Sequence, residues 1–388
     1  MRLPSAVSGV VSGRTARLLG LLLFLPACGI EPGSRSTVRV DTLQSGTIVV
    51  HNAGAGMWHE GAAWMLTDAV TIGSQNDSGN AVFGRVADLA LDQRGRVYVL
   101  DLTPPEIRVF ASDGSYIRTI GRKGHGPGEF ELATGMRFDP RDRLWVLNQG
   151  NQRYSVFDTS GALLREFPRR MSSATLEWRF RAFSPTGDPF DGLMYATTSG
   201  WEHRYARYDT LTAEFVDTLP LPVLPEGTPL GWGRIMPTPL GWWVGVATDY
   251  RLWELTRAGD TVRVVEREHE PVGLPTAQRD SIRDAMRLLR ERARGAVSLP
   301  IPEHQRIFDE IVVDNHGYVW VQLSRTPDER VTSFDVFDPE GRYLGAVKAP
   351  SVVESNPTPV VRDDRMAYVT TNEPGAQFVV TARIRGRR

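Results

Sequence analysis

The sequence predicts an all-β fold, a six-bladed β-propeller with one helical insertion between blades four and five. Three observations lead to this prediction. An aromatic residue recurs about every 48 residues, short strands with alternating apolar and polar residues surround each of these aromatics, and one long stretch breaks the pattern. The 388 residues are 41% hydrophobic, which is enough to form a sizeable core.

The recurring aromatic residues give the number of repeat units. They are Tyr98, Trp145, Tyr195, Trp243, Trp320 and Tyr368. The intervals between them are 47, 50, 48, 77 and 48 residues, so four of the five are nearly equal. The long interval between Trp243 and Trp320 is therefore expected to hold an insertion.

Each unit is predicted to contain four short strands. The segments 89–101, 136–148 and 311–323 share an apolar strand, an Asp, a polar turn and a second apolar strand that carries the aromatic. A third strand follows, as in "IRVFASDG" (107–114), and then a fourth, as in "YIRTIG". Period-two alternation is the signal of half-buried strands, and six such units in a ring leave few open edges.

The ring is predicted to close through its N-terminal strand. The sixth unit supplies only three strands before the chain ends, whereas residues 64–73 resemble the outer strand of a unit. We therefore expect one propeller over residues 60–388, with strand 64–73 completing the last blade. A further strand is expected near residues 38–50.

The insertion, at about 272–300, is predicted to contain a helix. Within 275–295, Ile282, Met286, Leu289 and Ala293 lie on one helical stripe, and the remaining face is net basic. The helix is either a packing appendage that caps one blade or a lid or docking helix at the rim. The sequence leaves both interpretations open.

The N-terminus has the features of an export signal. Arg2, Arg14 and Arg17 precede a short apolar run, and "LPAC" ends at Cys28. This segment resembles a bacterial lipoprotein signal peptide over residues 1–27, which implies cleavage before Cys28 and lipid attachment to it. The alternative is an ordinary secretory signal with a chance Cys.

The resemblance to lipoproteins also implies a location. Residues 28–59 are predicted to form a tether and an N-terminal strand region. The residue that follows Cys28 is Gly29 and not Asp. In this respect the chain resembles the outer-membrane lipoproteins of Gram-negative cells. The expected location is thus the cell envelope, lipid-anchored at the outer membrane and facing the periplasm or the cell surface.

A family resemblance covers part of the chain. The glycine-rich "GRKGHGPGEF" (121–130), followed by a strand, an Asp turn and "VF…G", resembles the NHL-repeat six-bladed propeller lipoproteins of Gram-negative bacteria. The resemblance implies the fold but not one activity, because propellers host unrelated functions. Some relatives are metal-dependent lactonases or lyases, so it also admits a calcium or zinc ion in the channel, although no ligand can be matched to a residue of this chain.

The glycine-rich stretch 121–130 is interpreted as a connector between blades. Its spacing fits neither a P-loop nor a dinucleotide-binding loop, and a strand rather than a helix follows Phe130. We expect Phe130 to pack between adjacent blades. Arg122, Lys123 and His125 remain as loop side chains that are candidates for ligand or partner binding.

Five further candidates come from one repeated position. An arginine stands near the start of the third strand in five units, namely Arg108, Arg153, Arg204, Arg251 and Arg325. A ring of arginines on one face would bind an anionic ligand or an acidic partner. Alternatively, each arginine pairs with a neighbouring carboxylate and bridges two blades.

The carboxylates divide into two groups. Asp92, Asp139 and Asp314 recur at one position of the unit, for which a role in the turn is predicted. Asp88, Asp309 and Glu310 stand at the start of inner strands and are candidates to face the channel.

Taken together, the residues favour a non-enzymatic binding or scaffold protein without a cofactor. The net charge of −1 argues against nucleic-acid binding. The expected partners are the membrane, through the lipid anchor, and a protein, peptide or glycan of the envelope. The alternative is a metal-dependent hydrolase, lactonase or lyase with its site in the channel.

Overall fold

The computed structural model describes the chain from residue 36 onward, with several gaps. The described ranges are 36–59, 61–73, 79–168, 190–197, 200–208, 215–220, 233–238, 240–292, 301–326, 328–372 and 375–387. Residues 1–35, which contain the predicted signal peptide and Cys28, lie outside the described residues.

The first strands of the chain serve two different sheets. Strands β1 (Thr37–Thr42) and β2 (Ile48–Ala53) form an antiparallel hairpin. Strand β3 (Met65–Ile72) pairs antiparallel with the last strand of the chain, so the two ends of the propeller are joined within one sheet. β3 covers the segment that the sequence assigned to ring closure.

Blades one and two follow in order, each with four strands. Their bounds are β4 (Val86–Leu91), β5 (Val97–Leu102), β6 (Pro105–Phe110), β7 (Tyr116–Ile120), β8 (Ala133–Phe138), β9 (Leu144–Asn148), β10 (Arg153–Phe157) and β11 (Leu163–Pro168). Neighbouring strands within each blade pair antiparallel.

Three described strands form blade three, and four form blade four. Their bounds are β12 (Phe190–Thr197), β13 (Gly200–Tyr208), β14 (Phe215–Pro220), β15 (Gly233–Pro237), β16 (Gly241–Val246), β17 (Arg251–Thr256) and β18 (Thr261–Arg267). The hairpin β1–β2 extends blade four, because β2 pairs parallel with its outermost strand β18.

Helix α1 (Thr276–Arg292) separates blade four from blade five, as predicted. The strands after it are β19 (Phe308–Val313), β20 (Val319–Leu323), β21 (Ser333–Phe337), β22 (Tyr343–Lys348), β23 (Val360–Arg362), β24 (Arg365–Thr371) and β25 (Gln377–Arg385). Blade six has the order β23–β24–β25–β3.

The described strands thus form six sheets, and the predicted all-β six-bladed propeller is confirmed. Five of the six phased aromatic residues, all except Tyr195, lie in the second strand of their blade, and Tyr195 lies in β12, the first described strand of blade three. Tyr98, Trp145, Trp320 and Tyr368 are completely buried. The side chain of Tyr195 lies outside the described part.

The hydrophobic core lies between the blades rather than in one central mass. Each of four core clusters combines residues from two adjacent sheets: blades one and two, four and five, five and six, or six and one. Tyr98, for example, packs with Phe130 and Phe157 of the next blade. Burying apolar faces between neighbouring sheets is what stabilises the ring.

Helix α1 contributes little to this core. Of its described side chains, only Arg279, Ile282 and Met286 are half-buried, and the others are exposed. Ile282 and Met286 are two of the four residues of the predicted apolar stripe. Leu289 and Ala293 lie outside the described side chains. Among the helices that the structure describes, none has both the length and the apolar character needed to cross a membrane.

Candidate functional site

The glycine-rich stretch 121–130 connects β7 to β8. Phe130 is completely buried between blades one and two, and its backbone NH donates to the Arg122 carbonyl at 2.8 Å. Gly121 has a φ of +73°, and a Cβ there would lie 2.2 Å from the Phe130 ring. The loop therefore needs glycine for its backbone conformation and for the close approach of the ring.

The basic side chains of this loop interact with nearby polar groups. Arg122, although 80% exposed, pairs with Glu129 at 2.7 Å. The Nδ1 atom of His125 lies 2.7 Å from the Asn151 side-chain oxygen, and Lys123 is exposed. Their role in partner binding stays a prediction.

Two of the five third-strand arginines hold loops within the fold. Arg108 is buried, pairs with Glu106 at 2.7 Å and also donates to the Val82 carbonyl. Arg153 pairs with Glu166 at 3.1 Å and donates to carbonyls of the 121–130 loop. Both arginines thus pair with a carboxylate, as the alternative interpretation expects, but that carboxylate belongs to the same blade, and the carbonyls that they bind lie in the segment that precedes the blade.

The other third-strand arginines differ from these two. Arg251 is half exposed and pairs with Glu266 at 2.8 Å on the neighbouring strand β18. Arg325 is exposed and donates to backbone carbonyls of its own loop. The side chain of Arg204 lies outside the described part of the chain. Anion binding by this set stays a prediction.

A cavity of about 740 Å³ lies in the channel, where the inner strands turn into the second strands. Its described walls come from blades one, two, four, five and six. The apolar part of the lining includes Phe138, Met236, Trp243, Val313, Pro359 and Val360. Neither the 121–130 loop nor any described third-strand arginine contributes to it.

Two carboxylates of the cavity wall are committed to turns. Asp139 accepts hydrogen bonds from the backbone NH groups of Arg141 and Arg143, and from the Trp145 indole at 3.0 Å. Asp314 accepts the Trp320 indole at 3.0 Å in the same way. The predicted turn role is confirmed, because these bonds tie each turn to its buried aromatic.

Asp92 occupies the same position in blade one. Its carboxylate accepts the backbone NH groups of Arg94 and Arg96 at 2.9 Å each. The Tyr98 hydroxyl lies 3.4 Å from it, in place of the indole of the other blades. The three turns therefore share one arrangement.

The inner strands carry buried charges that join adjacent blades. Asp88 of blade one accepts the Met136 backbone NH and the Arg137 side chain of blade two, each at 2.8 Å. Glu310 of blade five accepts the Thr358 hydroxyl of blade six at 3.1 Å and lies 3.9 Å from Arg234 of blade four. Both carboxylates were candidates to face the channel, and both serve contacts between blades.

Asp309, the third inner-strand candidate, lies nearer the surface. Its carboxylate accepts the Ser324 hydroxyl at 2.8 Å and pairs with Arg306 at 3.2 Å.

Arg137 and Arg362 belong to the cavity residues that the sequence analysis did not single out. Arg137 stands on β8 and Arg362 at the end of β23, and both line the cavity. Neither belongs to the repeated third-strand set. The two arginines reach the same cavity wall only because inner strands of different blades lie side by side. Their spacing along the chain does not indicate this proximity.

Glu254 and His316 are further ionisable groups at the cavity. Burial raises the pKa of the Glu254 carboxyl, and Arg263 at 2.6 Å opposes that shift. His316 is half exposed and lies 3.1 Å from Asp363. Both groups thus already have a charged neighbour.

A metal ion would need several donor side chains that lie close together. In that part of the chain, no group of three or more His, Cys, Asp or Glu side chains is placed to hold a metal. No described residue is therefore assigned to the calcium or zinc ion that the family resemblance admitted, and such an ion stays a prediction.

Comparison with known proteins supports the fold. Residues 82–168, which span blades one and two, match the family DUF5128, described as a 6-bladed beta-propeller. No curated protein matches the chain.

Three solved structures illustrate the similarity. A member of the duf4221 family from Bacteroides vulgatus shows 12% identity and a TM-score of 0.47, with 83% of this chain and 98% of that chain covered. A gluconolactonase from Xanthomonas campestris shows 14% identity and a TM-score of 0.48, with 92% of this chain and 100% of that chain covered. A catalytically inactive virginiamycin B lyase from Staphylococcus aureus shows 9% identity and a TM-score of 0.40, with 90% of this chain and 96% of that chain covered.

Proposed function

We propose that this chain is a lipid-anchored propeller of the cell envelope that binds a small ligand in its channel and does not transform it. The observation that carries the proposal is the 740 Å³ cavity, whose wall carboxylates Asp139 and Asp314 are held by structural hydrogen bonds. Volumes of about 300–1,000 Å³ are typical of sites for small molecules.

The composition of the wall supports binding. Met236 and Trp243 from blade four and Val313 from blade five offer apolar surface, while the polar side chains come from blades two, four, five and six. Binding sites commonly combine an apolar wall with a small number of placed polar groups, which fix the orientation of the ligand. The proposal requires no cofactor.

The N-terminal segment supports the proposed location. The "LPAC" stretch ending at Cys28 would give the mature protein its lipid, and more than one acyl chain gives stable anchoring. The outer membrane is the location that Gly29 favours. Binding of an envelope protein, peptide or glycan by the face that carries Arg122 and Arg325 is a separate prediction.

The proposal is tested by filling the cavity. The test uses the chain without residues 1–28, which keeps the compact unit Arg35–Arg388. A fluorescence titration with the neutral probe N-phenyl-1-naphthylamine measures binding. Val313→Trp and Val360→Trp place an indole on the walls of blades five and six, and each is expected to weaken binding at least about tenfold.

The matched control is Leu164→Trp. Leu164 lies half exposed on β11, the outermost strand of blade two, and the change should leave the affinity for the probe unaltered. Unaltered affinity in both cavity variants, or an equal loss in the control, would contradict ligand binding in the channel. Thermal unfolding of each variant shows whether the fold is retained.

A further inference from the structure

We propose that the ligand of the channel is an amphiphile whose compact oxyanion is bound jointly by Arg137 and Arg362. The inference rests on the proposed binding function and adds the chemical class of the ligand. It is argued from the hydrogen bonds of the two arginines, from their spacing and from the cavity that both of them line.

Arg137 uses only one of its terminal nitrogens within the protein. Its Nη1 atom donates to both Asp88 oxygens, at 2.9 and 2.8 Å, and to the carbonyls of Leu89 and Met136, at 3.3 and 2.7 Å. Its Nε and Nη2 atoms donate to none of the described residues. The side chain is 16% exposed and lines the cavity. Asp88 thus fixes the Arg137 side chain through Nη1, and the other donors of the same guanidinium remain available for a ligand.

Arg362 repeats this arrangement from the other side of blade one. Its Nη1 atom donates to the Leu91 carbonyl at 2.8 Å and lies 3.2 Å from Asp142. The guanidinium also lies over the Phe138 ring, 5.8 Å from its centroid, which further restricts its position. Within the described part of the chain, its Nε and Nη2 atoms have no hydrogen-bond partner.

The two guanidinium groups are held close together by one strand. The carbonyls that they bind, on Leu89 and Leu91, are two residues apart on β4. A strand rises about 3.3 Å per residue and its alternate carbonyls point the same way, so these carbonyls are about 7 Å apart. Each guanidinium lies within hydrogen-bond distance of one of these carbonyls, so both groups stand at the same part of β4, and an oxyanion there would accept a hydrogen bond from each.

The described carboxylates that line the cavity do not pair with Arg137 or Arg362, so the remaining donors of these two arginines are available to a ligand. The carboxylates that line the cavity have cations of their own: Asp139 pairs with Arg143, Glu254 with Arg263 and Asp314 with Arg387. Guanidinium donors matched to an oxyanion give charge-assisted hydrogen bonds, which are stronger than neutral ones. Apolar neighbours such as Phe138 would receive the remainder of the molecule.

The test compares two fluorescent probes with the same aromatic skeleton. N-phenyl-1-naphthylamine is neutral, whereas 1-anilinonaphthalene-8-sulfonate carries one oxyanion. The wild-type chain without residues 1–28 is expected to bind the sulfonate at least about tenfold more tightly than the neutral probe, as charge-assisted hydrogen bonds predict. Arg362→Gln should remove most of this preference, which is the ratio of the two affinities measured on the same variant.

Two further variants guard against effects on folding and on surface charge. Arg362→Lys keeps a cation beside Asp142 but lacks the second donor edge, so it should lower the preference by about fivefold. Arg325→Gln removes an exposed arginine outside the cavity and should change nothing.

The outcomes separate the two proposals. If both probes bind equally to the wild type, or if Arg362→Gln leaves the preference intact, the oxyanion site is wrong while ligand binding in the channel stands. An equal loss in Arg325→Gln would assign the preference to surface charge and also overturn the site. If neither probe binds, the proposed function itself fails.

Discussion

At the scale of single residues, Asp335 joins blades four and five through three donors. The Tyr250 hydroxyl donates to it at 2.6 Å, the Tyr343 hydroxyl at 2.8 Å and the Arg267 Nε atom at 2.8 Å. Burial and the charge of Asp335 raise the pKa of the Tyr250 hydroxyl well above its usual range, so it stays protonated and can donate. The Arg267 guanidinium also stacks 3.7 Å from the Tyr343 ring centroid.

We predict that Asp335→Asn lowers the free energy of unfolding by about 3 kcal/mol. The amide has only one oxygen to accept hydrogen bonds, and its NH₂ group would face one of the three donors. The half-buried Arg267 would also lose its counter-charge, which is the larger part of the cost. Urea denaturation followed by tryptophan fluorescence measures the change.

Asp364→Asn is the matched control for this prediction. Asp364 also pairs with an arginine, Arg383, at 2.7 Å, but both side chains are about half exposed. Exposed ion pairs contribute about 0–1 kcal/mol, so little change is expected. Similar losses in the two variants would contradict the special role of Asp335.

At the scale of the elements, the hairpin β1–β2 covers the outer edge of blade four. Its strand β2 buries Val49 and Val50 and pairs with β18 from Arg263 to Arg267. Asn52 is buried and fixes the hairpin to two blades: its amide NH₂ donates to the Glu266 and Gly341 carbonyls, and its oxygen accepts the Tyr343 NH at 2.7 Å. A strand edge covered in this way is also protected from pairing with other chains.

Two truncations are predicted to differ sharply. A chain that starts at residue 55 lacks the hairpin, and we expect it to stay folded with a loss of about 2–4 kcal/mol from the buried valines and the bonds of Asn52. A chain that starts at residue 74 also lacks β3, which leaves Val380 and Ile384 of β25 uncovered. We expect this second chain to lose cooperative unfolding.

Circular dichroism during heating distinguishes the two chains. The first should show one cooperative transition at a lower temperature than the full compact unit, and the second none. A cooperative transition in the second chain would show that β3 is not needed to complete blade six.

The strands could be predicted because the same unit repeats along the sequence. Tyr98, Trp145 and Trp320 each contact the Asp six residues before it, in turns of one geometry. A pattern that local hydrogen bonds impose on every blade is visible along the chain. The position of helix α1 could be predicted for the same reason, since it interrupts the repeat.

The site was less predictable, because its contacts join distant parts of the chain. Arg137 meets Asp88 across 49 residues, and Arg362 meets the Leu91 carbonyl across 271. The parallel pairing of β2 with β18 likewise joins distant parts of the chain, beginning with Ile48 beside Arg263. In contrast, the third-strand arginines were conspicuous in the sequence because they recur, although Arg108 is buried in contacts between segments.

At the scale of the whole molecule, the ring architecture separates stability from binding. The hydrophobic clusters lie between adjacent blades, so the channel itself is not required to be filled for the fold to be stable. Inner-strand charges add contacts between blades, as in the pair formed by Asp88 and Arg137 at 2.8 Å. The remaining space in the channel is then available for a ligand whose chemistry depends on individual side chains rather than on the repeat.

The proposed anchoring is tested on the whole protein in a Gram-negative host. We predict that Cys28→Ser moves the chain from the membrane fraction to the soluble periplasmic fraction, because the residue that would carry the lipid is lost. Gly29→Asp, one residue further on, is the control: it keeps Cys28, so the chain should stay with membranes but shift from the outer to the inner one. Membrane fractionation with immunodetection measures both. If Cys28→Ser remained membrane-bound after a carbonate wash, as firmly as the wild type and with a mass showing that residues 1–27 had been removed, the lipid anchor would be wrong, and another part of the molecule would have to hold it at the membrane.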